Sequence, residues 1–119
     1  MQMTNKVAPP ILDRACFGKV LITPTVFDTV PHSLVLRLLD RHFNDDWGDL
    51  PDEDSQLNVN IVNACHNKEP NEYGNRIMSV YKQPNLSESI WIMTYLQHDS
   101  ELQQDHDYCN TVVMFPSEY

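Results

Sequence analysis

The chain has 119 residues, the usual size of one domain, and its 41% apolar and 21% charged residues are the balance of a globular protein. No apolar run approaches the ~18 residues needed to cross a bilayer, which argues against a membrane span. Seventeen acidic residues against eight basic ones give a net charge of −9, which repels polyanions and argues against nucleic acid as a direct ligand.

Met1 to Pro10 carry one lysine and two prolines but no apolar signal-peptide core, so residues 1–16 read as a loose N-terminal arm. Residues 17–119 then read as a single domain. Cys16, Cys65 and Cys109 are odd in number and lack C-x-x-C spacing, which fits reduced thiols in a cytoplasmic protein.

Phe17 to Thr23 combines Val20, Leu21 and Ile22 between Gly18 and Pro24, which predicts a largely buried first strand ended by the proline. Ser33 to Phe43 places Leu34, Val35, Leu38, Leu39 and His42 at helical spacing, with Arg37 and Arg41 on the wetter side. Asn44 and Gly48 suit the helix stop. Asp49 is the expected cap of a second helix, with Pro51 in its first turn. Asp52, Glu53 and Asp54 interact favourably with the positive end of its dipole, and its apolar stripe is Leu57, Ile61, Ala64 and Cys65. A polar loop follows from Asn67 to Asn75.

Arg76 to Lys82, Ile90 to Leu96 and Thr111 to Phe115 read as three further strands, with Pro84, Asn85 and Ser87 turning the first pair. The order β-α-α-β-β-β predicts an α+β domain with an antiparallel sheet of about four strands and two helices on one face. Val20, Ile22, Leu38, Leu39 and Ile92 are expected to share its core. A homodimer is expected from the apolar last strand, Val112 to Met114, because a four-stranded sheet must manage its edges.

With only Gly18, Gly48 and Gly74 available, no P-loop or G-x-G-x-x-G turn can be written, and neither G-x-S-x-G nor H-E-x-x-H occurs. No cofactor is expected. The stretch His98 to Cys109 is the best candidate for chemistry, since His98, Asp105, His106 and Cys109 carry ligands suited to zinc. Its spacing matches no recurrent pattern, and a solvated loop is the plainer reading.

Charge is segregated: neither the stretch from Arg41 to Lys68 nor the chain after Lys82 contains an internal base, and six acids fall in each. The denser run is Asp45, Asp46, Asp49, Asp52, Glu53 and Asp54, around Trp47. Aligned on Gly48 as an EF-hand, it places Phe43 where the first carboxylate must stand, so calcium binding fails. The run reads either as a helix start rich in favourable acids or as a surface for a basic protein partner, and Trp47 as a plug on the core or a contact residue.

Phe17-Gly18-Lys19-Val20-Leu21-Ile22-Thr23-Pro24, then Arg41-His42 and Asp46-Trp47-Gly48-Asp49, resemble a small prokaryotic family of plasmids and other mobile elements. Arg76 to Tyr81, Trp91 to Thr94 and Phe115 to Tyr119 continue that resemblance, which is interrupted by a longer acidic loop between Thr94 and Thr111. Members are labelled "plasmid-related protein" or "type I restriction endonuclease subunit M". A chain of 119 residues without an Asn-Pro-Pro segment cannot hold a methyltransferase domain, so the second label does not carry over. The resemblance implies mobile-element cargo and supplies no catalytic residue. The expectation is a non-enzymatic interaction protein, such as an anti-defence factor, with a small metal-dependent enzyme as the alternative.

Overall fold

The computed structural model describes residues 17–66, 74–96 and 110–119, with the backbone alone for residues 65 and 66. Among them the order is β1 (Lys19–Ile22), α1 (Pro24–Thr29), α2 (His32–Phe43), α3 (Asp52–His66), β2 (Arg76–Tyr81), β3 (Ile90–Tyr95) and β4 (Asn110–Met114), closed by a 3-10 turn at Pro116–Glu118. The class is α+β, as the sequence predicts.

The four strands lie in the order β1-β4-β3-β2. β2, β3 and β4 are antiparallel neighbours, but β1 runs parallel to β4, so the sheet is mixed rather than antiparallel throughout. Alternation of apolar residues tells which face a side chain takes, not which strand lies alongside. β4 also has neighbours on both sides, so the last strand is interior and offers no edge. β1 holds one edge, and Lys19, Val20 and Leu21 are exposed there instead of buried.

The short helix α1 was not expected. Pro24 does end β1, but it also opens α1, where its fixed φ and missing N–H cost nothing. Six residues with one buried apolar side chain, Val26, are too few to show a period. α2 buries Val35, Leu38, Leu39 and His42 and turns Leu36, Arg37, Asp40 and Arg41 outward. Asn44 caps it by donating from Nδ2 to the Asp40 carbonyl (2.7 Å), while Asp45, at φ 64°, takes the left-handed turn. In α3 the inward residues are Asn58, Ile61, Val62 and Ala64, and Leu57 is 39% exposed. The Pro51 carbonyl, not Asp49, receives the first bond of that helix, from Ser55 N–H (2.9 Å).

Two apolar clusters fill the space between helices and sheet. One joins Val26, Val35, Leu38 and Leu39 to Tyr81, Ile90, Ile92 and Val113; the other joins Phe17, Ile61, Val62, Ile77 and Leu96. Leu38, Leu39 and Ile92 thus share one core, with Ile22 at its margin. Val20, 37% exposed on the edge strand, does not belong to it. No helix among the described residues is long and apolar enough to cross a membrane.

Candidate functional site

The acidic run forms a strap along the outer edge of β2. That edge presents the backbone of Met78, Val80 and Lys82, and each receives a partner. Val80 N–H donates to the Trp47 carbonyl (3.1 Å) and Asp49 N–H to the Val80 carbonyl (2.6 Å), so Gly48 pairs with Val80 in a single parallel bridge. Lys82 N–H donates to the Asp49 carboxylate (2.8 Å). Asn58 of α3 serves Met78 twice, donating to its carbonyl (2.8 Å) and accepting from its N–H (3.2 Å). A row of edge groups that could recruit another strand is closed by this chain's own loop and helix.

The strap is itself anchored. Arg41 grips Asp46 with two bonds, Nε to Oδ2 (2.7 Å) and Nη2 to Oδ1 (3.2 Å), and Gly48 N–H donates to the same Oδ1 (3.2 Å). The hydrogen bond from Arg41 holds the Asp46 carboxyl below the usual carboxylate range. Tyr81, fully buried, donates its hydroxyl to the Asp46 carbonyl (2.6 Å) while the Arg41 guanidinium lies over its ring at 4.8 Å. Burial raises the Tyr81 pKa, so the phenol stays protonated as that donor. Gly48 passes so close that a Cβ would stand 2.4 Å from the Val80 carbonyl oxygen and 2.5 Å from the Tyr81 ring. Its φ of 69° is a second reason for glycine.

Of the seven residues expected to meet a partner, Asp46 and Asp49 therefore spend their carboxylates on the strap itself. Trp47 is half-buried against the cluster of Phe17, Ile61 and Val62. Asp45 is half-buried at the turn. Asp52, Glu53 and Asp54 stand exposed in the first turn of α3. His98, Asp105, His106 and Cys109, expected as an alternative metal site, lie outside the described residues. Among the described residues, no group of three or more His, Cys, Asp or Glu is placed to hold a metal ion.

The sequence reading missed a buried polar chain that crosses the core. His42 of α2 touches Ser79 Oγ of β2 through Nδ1 (2.5 Å) and Thr94 Oγ1 of β3 through Nε2 (2.8 Å). Thr94 continues to Thr111 of β4 (2.7 Å), and Thr111 donates to the Phe17 carbonyl (2.8 Å). Because that carbonyl can only accept, every proton in the chain is assigned. Thr111 is committed as donor, so Thr94 donates to Thr111 and accepts from Nε2–H; Nδ1 is then the acceptor for the Ser79 hydroxyl. All four side chains have no solvent exposure. The Ser79–His42 pair resembles a nucleophile and base, yet no substrate atom can reach it. One signal was available in the sequence: Ser79, Thr94 and Thr111 each take an inward place in the alternation of an apolar strand, and His42 takes one on the apolar face of a helix.

Comparison with protein-family models, curated proteins and solved structures finds no match for this chain.

Proposed function

We propose that the protein is a non-enzymatic interaction module of a mobile element, acting in the cytoplasm on a basic protein partner. The observation that carries this reading is the outward presentation of Asp52, Glu53 and Asp54 in the first turn of α3, beside an anchored strap, while the imidazole and hydroxyls best suited to chemistry are sealed in the core. Carboxylates held on a fixed backbone lose little entropy on binding and steer a cationic surface by long-range attraction.

Capture from a lysate of the source cells, with wild type and an Asp52→Asn, Glu53→Gln, Asp54→Asn variant side by side, tests the reading. The expected partner binds wild type, weakens steadily as salt rises and is lost on the variant. Equal capture by both at every salt concentration would make the acids a solubilising face and remove the reading. Stoichiometric zinc or manganese, released by His98→Ala with His106→Ala, would replace it with a metal-dependent enzyme.

A further inference from the structure

The two edges of the sheet are treated differently. The β2 edge is closed by the strap, the Asp49 carboxylate and the Asn58 amide, whereas among the described residues nothing pairs with the outer edge of β1. Thr23 N–H donates to the Val113 carbonyl (3.1 Å), which sets the alternation along β1: Lys19 and Leu21 turn their backbone groups towards β4, and Val20 and Ile22 turn theirs outward. Beside this edge runs a groove of about 510 Å³ lined by Val20, Ile22, Leu36, Leu39, Asp40 and Phe43. On the groove side Val20 is 37% and Leu36 65% exposed, and on the opposite face of the sheet Leu21 is 48% exposed.

We infer that β1 pairs antiparallel with β1 of a second copy, across a two-fold axis at Leu21, giving a continuous eight-stranded sheet. This goes beyond the proposed partner binding and does not depend on it. The register is self-consistent. Val20 exchanges both backbone bonds with Ile22 of the second copy, and Ile22 does the same with its Val20, so all four outward N–H groups and carbonyls find partners. Leu21 meets its own equivalent on the sheet face opposite the helices. On the helix face, Val20 and Ile22 of the second copy lie over the groove beside Leu36.

Charge selects the same occupant. Two copies at net −9 repel, so they meet most readily where acids are few: from Phe17 to Phe27 the one charged residue is Lys19, and the neighbouring acids are Asp40 beside the groove and Glu118, which accepts from the Thr23 hydroxyl (2.8 Å). In this register Lys19 faces Thr23 of the second copy and no like charge faces another. A second copy finds matched aliphatic residues.

Sedimentation equilibrium of the full chain, with Leu21→Cys as a geometric probe, tests the inference. A directly opposed pair without mutual hydrogen bonds has Cα atoms ~4.5 Å apart, within disulfide range. The expected result is a monomer–dimer equilibrium that tightens as salt rises from about 0.01 to 1 M and screens the like charges. Leu21→Cys should oxidise to a covalent dimer whose bridge maps to residue 21 in both chains. Leu36→Asp, a change at an exposed helix position that leaves the fold's circular dichroism intact, should weaken the dimer at least tenfold. A monomer at every concentration overturns the inference. So does a dimer that keeps its affinity in Leu36→Asp, or one in which residue 21 forms no bridge.

Discussion

His42 is held neutral by its surroundings, since burial lowers its pKa from 6.5 to about 3. Protonation would place a second donor at Nδ1, opposite the Ser79 hydroxyl that now donates to it, where neither side chain is exposed to solvent. The folded state therefore binds its proton only near pH 3, while the unfolded chain takes one up near 6.5. Between those values the unfolded state carries more protons, so stability falls as pH falls, and above 6.5 the group contributes no pH dependence. Chemical denaturation from pH 7 to 5, above the main carboxylate range, should show this loss in wild type. A His42→Gln chain, less stable at pH 7, should show a much flatter profile over the same interval. An unchanged slope would mean that the imidazole is not the group that titrates. The hydroxyl row was legible in part, because Ser79, Thr94 and Thr111 occupy inward positions of their strands; the link through a helix 37 positions before Ser79 was not, because nothing local encodes it.

Among the elements, the β2 edge depends on one side chain more than any other. Asn58 satisfies both outward groups of Met78, and it is itself buried at 3% exposure. Asn58→Ala should cost about 1–3 kcal/mol, the penalty for a polar group left without its partner, and should speed amide exchange at Met78 in particular. Asn58→Asp should be worse at neutral pH, because one carboxylate oxygen would face the Met78 carbonyl where the amide now donates. Urea titration of the three proteins orders them. Helix α2 and strands β2 to β4 were legible from their apolar periods to within a residue or two. The cap at Asp49 was not: its chemistry is that of a helix N-cap, but the backbone N–H it serves belongs to Lys82, brought to it by tertiary packing.

On the scale of the whole molecule, the inferred dimer would leave the two acidic straps at opposite ends of one sheet, since each lies on the β2 side while the copies meet through β1. A partner with a single basic patch would engage one end at a time, and a partner with two suitably spaced patches would gain from both. The class of fold followed from element order and composition. The parallel placement of β1 did not, because a mixed sheet and an antiparallel one draw on the same alternating strands.

The interior position of β4 also governs how the chain can be made. Lys19 pairs with Asn110 and Ile22 with Val113, so during synthesis the first strand waits for a strand 91 residues further along the chain. At ~5–20 residues per second that wait is on the order of several seconds, during which β1 and the inner edge of β3 are both unpaired. Contacts so far apart in sequence place the closure of the sheet late and make it slow. Removal of residues 110–119 should leave a chain without a cooperative unfolding transition, whatever helix survives by circular dichroism. In the cell, the seconds before β4 arrives would be the period of greatest exposure to chaperones and proteases.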